Sequence, residues 1–131
     1  PAIQERFAPI WDRHMASIDW IRKCARRVGD VVVFDLVETG LQQYNKFIPY
    51  FLFPDAVYAV GLLSNPKRVK IGVGSSPWAQ ERRTHQIADL CERYGGGGHP
   101  AVGAVSLPPG DVVSGRKVMD EVVEILSHPS S

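Results

Sequence analysis

The sequence has few cysteines and no long apolar run, and both features limit the classes of protein to which the chain can belong. Only two of its 131 residues are cysteines, Cys24 and Cys91, and neither has a cysteine or histidine at the spacing of a zinc site. We therefore expect two buried free thiols in a reducing cytoplasm. No apolar run is long enough to cross a bilayer and no secretory signal is visible, so we expect a cytoplasmic protein without a membrane partner.

The chain also lacks an excess of charge of either sign. Fifteen Lys and Arg side chains stand against fourteen Asp and Glu side chains, which gives a formal net charge of +1. Any binding to a polyanion must therefore be local and not a property of the whole surface. The apolar fraction of 44% is that of an ordinary globular protein, and the length suits one domain with its own core.

Apolar side chains recur every three or four residues from Ile3 to Val28, which predicts a long helix that ends at Gly29. Pro1 is not an initiator methionine, and this amphipathic pattern begins almost at once. We therefore expect residues 1–29 to be a connector helix from a missing N-terminal domain. Residues 30–128 would form the domain itself, and residues 129–131 a frayed tail.

Within residues 30–128, short β-branched runs alternate with amphipathic segments. The runs predict strands at 31–37, 55–63, 69–74 and the end of 101–107. Amphipathic segments predict helices at 41–51, 84–94 and after Ser114. The polar turn between the second and third strands indicates an antiparallel hairpin. The order predicts an α/β (α+β) fold with a mixed sheet of about four to five strands flanked by helices.

Four consecutive glycines precede His99, and this run is the most informative feature of the chain. Such a run is typical of a flexible linker or of a loop whose amides bind an anion. Segments with strong helical and strand patterns flank it closely, which favours a phosphate cradle. In that hypothesis the amides of Gly96, Gly97 and Gly98 surround the anion and His99 donates a hydrogen bond to it. Pro100 would open a short helix whose dipole also favours negative charge.

Three further residues near the run are candidates for phosphate binding: Ser75, Ser76 and Arg83. The serines precede Pro77, so they also suit a helix cap or a turn. Trp78 is able to stack on a base, but we favour the commoner role of anchoring a loop onto the core. Lys46 lies in an otherwise apolar segment, where its stem is expected to pack along the surface.

Residues 57–107 resemble the C-terminal, DHH-associated domain of the DHH phosphoesterase superfamily. The resemblance rests on the cluster Gly96-Gly97-Gly98-His99, which is followed by small residues and a strand. Residues 87–94 match the helix before the cluster, and residues 69–75 match the strand before that helix. The resemblance implies a two-domain enzyme. Residues 30–128 would grip the phosphate or terminal nucleotide of the substrate, while a missing N-terminal DHH domain would hold manganese or magnesium.

The chain departs from the family in two respects. It has no Asp-His-His triplet, and its histidines are scattered at positions 14, 85, 99 and 128. We therefore expect no metal, no other cofactor and no catalytic residue in this chain. Family members carry a phosphate-binding arginine on the strand before the helix, where this chain has Gly74. The possible replacements for its charge are Arg82, Arg83, Arg68 and Lys70.

Three functions remain open on this basis. The favoured one is the substrate-binding domain of a metal-dependent phosphoesterase that acts on short oligonucleotides or nucleotide-like phosphoesters. A non-catalytic nucleic-acid-binding module, as appended to alanyl-tRNA synthetases, is the second. The third is part of an exopolyphosphatase or pyrophosphatase. The resemblance also allows a homodimer.

Overall fold

The structure is a computed structural model that describes residues 15–41 and 43–129. Six strands in this part form one mixed sheet: β1 Ala25–Val28, β2 Val31–Asp35, β3 Tyr58–Ser64, β4 Val69–Ser75, β5 Gly97–His99 and β6 Val102–Leu107. Their order across the sheet is β1-β2-β3-β4-β6-β5. β2 and β3 run parallel, and every other neighbouring pair is antiparallel. The predicted mixed α+β architecture is confirmed, with six strands instead of four to five.

Four α-helices of the described residues pack on the two faces of this sheet: α1 residues 15–24, α2 Ile48–Leu52, α3 Ile87–Glu92 and α4 Val112–Leu126. α3 and α4 cover one face through a core that contains Ile71, Leu90 and Val122. On the other face α1 and α2 cover only the part near β2 and β3, with Ile21 and Phe34 in that core. Among the described residues, no helix covers the β4–β6–β5 part of this second face.

The N-terminal helix ends earlier than its sequence pattern predicts. Residues 25–28 form β1, which pairs with β2 through a two-residue turn in which Gly29 has φ 57°. Glycine tolerates this positive φ, so the hairpin replaces the last turn of the predicted helix. The part of the prediction that falls on residues 1–14 lies outside the described residues.

Tertiary contacts shorten the other predicted helices. The predicted helix at 84–94 begins only at Ile87, because the amides of Thr84 and His85 donate to the hydroxyl of Tyr58. The predicted helix at 41–51 is limited to α2, and before it the Asn45 side chain accepts from the Phe47 amide in a turn. These contacts satisfy backbone amides that a longer helix would have used.

The short helix predicted after the glycine run is wrong. Residues 97–99 and 102–107 are the antiparallel strands β5 and β6, and Pro100 and Ala101 form the turn between them. The side chain and amide of Ser75 both bind the Ala101 carbonyl, which holds this turn against the end of β4. The glycine run therefore leads into the edge of the sheet.

α4 also begins two residues before the predicted cap. Asp111 is the N-cap, and its side chain accepts a hydrogen bond from the amide of Ser114 at 3.3 Å. Both cysteines are free, as predicted, but only Cys91 is buried and Cys24 is half-buried. Burial raises the pKa of the Cys91 thiol to about 11.

Candidate functional site

A cleft of about 640 Å³ lies over the part of the sheet that no described helix covers. Its floor is formed by the side-chain positions of β4, β6 and β5 that point away from α3 and α4. The strand register arranges them in two rows, Gly72–Ala104–Gly97 and Gly74–Val102–His99. Three strands at the usual spacing make this floor about 10 Å wide. Residues 43–50 form the facing wall.

The glycines of β4 allow two tyrosines of that wall to approach the sheet. A Cβ atom at Gly72 would lie 3.2 Å from the Tyr44 hydroxyl, and one at Gly74 would lie 3.0 Å from the Tyr50 hydroxyl. Burial raises the pKa of both tyrosines, so both stay protonated. Tyr50 is 5% exposed, and its hydroxyl has no partner of good hydrogen-bond geometry among the described residues. A weak contact with the Ala59 backbone lowers the pKa of Tyr50, but the effect of burial is larger.

The first two glycines of the run end α3. Gly95 has φ 82°, and the amides of Gly95 and Gly96 donate to the carbonyls of Glu92 and Cys91 at 3.1 and 2.9 Å. This is the hydrogen-bond pattern of a Schellman motif, in which glycine accepts the left-handed conformation. The Gly96 amide is therefore engaged with the helix, and Gly96 does not line the cleft.

The next two glycines lie in the edge strand β5 and differ from each other. At Gly98, φ is 153° and a Cβ atom would lie 2.3 Å from the Val102 carbonyl oxygen, so a side chain is excluded. At Gly97 a Cβ atom would meet nothing within 4 Å, because this position faces the open cleft. The glycine run thus ends α3 and allows β5 to pack closely against β6. It also leaves the cleft floor without a side chain at Gly97.

His99 follows at the same edge, and its ring makes no hydrogen bond or ion pair within the described ranges. The side chain is exposed and lines the cleft. An imidazole in this position is able to donate a hydrogen bond to an anion in the cleft. His85, by contrast, lies outside the cleft, where its Nε2 donates to the His128 carbonyl at 2.6 Å.

Ser75 and Ser76 line the same end of the cleft, but their side chains already contact backbone groups. The Ser75 hydroxyl donates to the Ala101 carbonyl at 3.0 Å, and the Ser76 Oγ accepts from the Trp78 amide at 3.2 Å. Both serines therefore hold the end of the cleft in shape.

The structure does not bring Arg83 to the cleft. Its side chain is half-buried, and its Nη1 is buried without a hydrogen-bond partner among residues 15–41 and 43–129. Arg82 donates to the Asp30 carboxylate and the Asp55 carbonyl, both outside the cleft. Of the four basic residues considered as replacements for the family arginine, only Lys70 lines the cleft.

A second lysine, Lys46, lines the cleft from residues 43–50, and the sequence pattern did not assign it this role. Its only sequence signal is a lysine within an apolar segment. No carboxylate of the described residues lines the cleft, although the whole chain is nearly neutral. Two lysines and a histidine without a nearby acid make the cleft locally attractive to an anion.

Two aromatic rings lie at the margin of the cleft beside Lys46. Phe47 lines the cleft, and its ring centroid is 6.1 Å from that of Trp78 at an interplanar angle of 58°. The Lys46 Nζ lies 5.3 Å from the Phe47 centroid. Trp78 is 71% exposed, so the expectation that it anchors a loop onto the core is wrong.

The described ranges contain no group of three or more His, Cys, Asp or Glu side chains that could hold a metal ion. The donor set of this part of the chain therefore does not fit the divalent metal of a phosphoesterase. No helix of the described residues is long and apolar enough to cross a membrane.

Neither a scan of protein-family models nor a search of curated proteins finds a match. Solved structures do match. PggH, a pGpG-specific phosphodiesterase from Vibrio cholerae, is 24% identical with a TM-score of 0.76, over 96% of this chain and 44% of PggH. An exopolyphosphatase-related protein from Bacteroides fragilis is 13% identical with a TM-score of 0.61, over 88% of this chain and 35% of that protein.

The C-Ala domain of alanyl-tRNA synthetase from Aquifex aeolicus is 14% identical with a TM-score of 0.50, over 79% of this chain and 98% of that domain. At these identities the similarity concerns the fold. A further neighbour of similar fold is a DHH domain, so the resemblance to the DHH-associated domain is confirmed at the level of the fold. The chain spans less than half the length of PggH and of the exopolyphosphatase-related protein.

Proposed function

We propose that this chain is the substrate-binding part of a DHH-type phosphoesterase and that its cleft grips a short oligonucleotide or a nucleotide-like phosphoester. The observation that carries the proposal is the lining of the cleft, in which Lys46, Lys70 and His99 face an open glycine-rich floor and, within residues 15–41 and 43–129, no carboxylate. Charge-assisted hydrogen bonds from such groups are the strong contacts that proteins make to phosphate.

The size of the cleft favours an organic phosphoester. Clefts of several hundred cubic ångströms are typical of small organic ligands, and about 640 Å³ is more than one phosphate fills. Apolar and backbone atoms of Pro49, Val102 and Ala104 form much of the remaining lining. Such a surface suits a sugar or base better than a string of further phosphates, which favours this function over exopolyphosphatase.

In this proposal the chemistry of hydrolysis belongs to a separate N-terminal DHH domain. The resemblance implies a divalent metal in that domain, manganese or magnesium, which would activate water for attack on the phosphoester. This chain would bind and orient the phosphate, and would exclude water from the covered part of the cleft. Its coverage of 44% of PggH leaves room for such a domain in a whole protein.

A nuclear magnetic resonance titration of the 131-residue chain tests the proposed function. Inorganic phosphate and adenosine 5′-monophosphate should shift the amide resonances of Gly97, Gly98 and His99, with dissociation constants on the order of millimolar because few contacts offset the association entropy. The amide of Gly96, which donates to Cys91, and the remote His85 serve as internal references. Shifts confined to the His85 side of the molecule would contradict the proposal.

Matched lysine variants separate the cleft from general charge. Lys46→Met removes a cation that lines the cleft, whereas Lys67→Met removes one from the β3–β4 turn. We expect weaker phosphate binding only in the first. Equal effects of both variants would show that phosphate responds to the overall charge and not to the cleft.

The similarity to the C-Ala domain supports the second candidate, a non-catalytic nucleic-acid-binding module. Such a module neutralises several backbone phosphates, so its affinity for single-stranded RNA falls steeply with salt. Among the described residues the cleft presents only Lys46 and Lys70 as fixed cations, which predicts a shallow slope of about two released ions. A slope of five or more would favour the nucleic-acid module over the phosphoesterase domain.

A further inference from the structure

Phe47 and Trp78 are exposed although both are large apolar rings. Trp78 is 71% exposed and Phe47 43%, and neither belongs to the two cores of the sheet. An aromatic pair left in solvent forgoes the stabilisation that burial would provide, so it is commonly a contact surface. Side-chain hydrogen bonds fix the backbone below both rings: the Ser76 Oγ accepts from the Trp78 amide, and the Asn45 Oδ1 accepts from the Phe47 amide.

The pair is continuous with the cleft. Phe47 and Pro77 both line it, and Trp78 follows Pro77 directly. Lys46 places its Nζ 5.3 Å from the Phe47 ring centroid. A ligand that contacts this lysine with an anionic group therefore has an aromatic surface within reach.

From this arrangement we infer that Phe47 and Trp78 form a platform on which the base of a nucleotide stacks, with Lys46 and His99 holding its phosphate. The inference rests on the proposed function and deepens it, because it commits the cleft to ligands that carry a base. A polyphosphate would gain nothing from the two rings, whereas any base offers a flat π-face to them.

The geometry of the pair limits how the base binds. A ring inserted between two others needs about 7 Å, since each stacked contact takes about 3.5 Å. The centroids of Phe47 and Trp78 are only 6.1 Å apart and the rings are tilted by 58°. The base therefore stacks on the solvent-exposed side of the pair and does not enter between the rings.

Two ligands that differ only in the base provide the test. Adenosine 5′-monophosphate and ribose 5-phosphate are titrated into the wild-type chain and followed by the indole N–H resonance of Trp78 and the amide of His99. We expect the nucleotide to bind about 5- to 150-fold more tightly, the range for stacking of one base. Trp78→Ala should remove this difference and leave the affinity for ribose 5-phosphate unchanged.

Phe51→Ala is the matched control, because Phe51 is 75% exposed but does not line the cleft. It should keep the preference for the nucleotide. If both ligands bind the wild-type chain equally, the stacking inference fails and the proposed function stands. If neither ligand binds, the proposed function itself fails.

Two other outcomes would also overturn the inference. A Trp78→Ala variant that weakens both ligands equally would show that Trp78 only supports the shape of the cleft. The second outcome is a wild-type chain that is dimeric by sedimentation and shows no preference for the nucleotide. If Trp78→Ala then makes this chain monomeric, the rings form an interface between copies.

Discussion

Gly97 and Gly98 are adjacent in β5, yet the structure allows a side chain at only one of them. Gly98→Ala would place a methyl group against the Val102 carbonyl at a φ of 153°. We expect it to lower the free energy of unfolding by about 1–3 kcal/mol. Gly97→Val places its side chain in open cleft, so stability should change by only about 0.5 kcal/mol while phosphate binding is lost.

Chemical denaturation together with a phosphate titration of both glycine variants checks this prediction. Gly98→Ala should lower the free energy of unfolding, whereas Gly97→Val should abolish phosphate binding with little change in stability. A large loss of stability in Gly97→Val would mean that the cleft floor is closed at this position.

His99 and His85 provide a second contrast at the scale of single residues. His99→Ala should weaken phosphate binding about tenfold or more and leave the melting temperature nearly unchanged, because the exposed ring has no bond within the described part of the chain. His85→Ala removes the bond to the His128 carbonyl and the edge contact with the Tyr58 ring. It should therefore lower stability by about 1 kcal/mol and leave binding intact. If His99→Ala unfolds the chain, His99 is a structural residue.

At the scale of elements, the length of β4 sets the distance between the two ends of the cleft. Lys70 and Gly74 are four residues apart on one face of the strand, which corresponds to about 13 Å. Gly74 lies in the row that ends at His99, so a phosphate beside His99 leaves Lys70 free for a second one. We expect a 5′-phosphorylated dinucleotide to bind about fivefold more tightly than a mononucleotide, since one further charged contact contributes about 1 kcal/mol.

Lys70→Met should abolish that gain while the mononucleotide keeps its affinity. Calorimetric titration of both ligands into the wild type, Lys70→Met and Lys67→Met measures the two affinities in each protein. A gain that survives in Lys70→Met would place the second phosphate elsewhere.

Elements with a local cause could be predicted from the sequence. The β3–β4 hairpin follows from two apolar runs around a polar turn, and the helix cap at Gly95 follows from the glycine after an amphipathic stretch. β1 could not be predicted, because Ala25 and Val28 fit a helical spacing and only pairing with β2 makes them a strand. β5 was missed because glycines carry no apolar pattern.

The candidate site was predictable only along β4 and β5. The glycine run and His99 are recognisable as neighbours in the sequence, and Gly97, Gly98 and His99 do line one cleft with Ser75 and Ser76. Lys46 and Phe47 come from a segment that folds over β4 through the contacts of its tyrosines with glycines. That approach is tertiary and has no local signature. Arg83 is near the glycine run in sequence, but the fold separates it from the cleft.

At the scale of the whole molecule, the 131-residue chain should hydrolyse no phosphoester in the presence of Mn²⁺. The described residues offer no donor set for the metal, and positioned binding groups without an activated water do not complete the reaction. A discontinuous assay with 5′-phosphorylated dinucleotides measures this. Turnover of even about 1 per second, an ordinary enzyme rate, would contradict it.

The uncovered part of the sheet has a thermodynamic consequence. In the part of the chain that the structure describes, β4, β6 and β5 carry helices on one face and the open cleft on the other, so a ligand in the cleft supplies a layer that these residues do not. Binding to the native state alone raises the free energy of unfolding by about 1.4 kcal/mol at ten times the dissociation constant. For a domain of this size that corresponds to a rise in melting temperature of about 5 °C. A panel of phosphoesters can therefore be ranked by melting curves without any knowledge of the reaction.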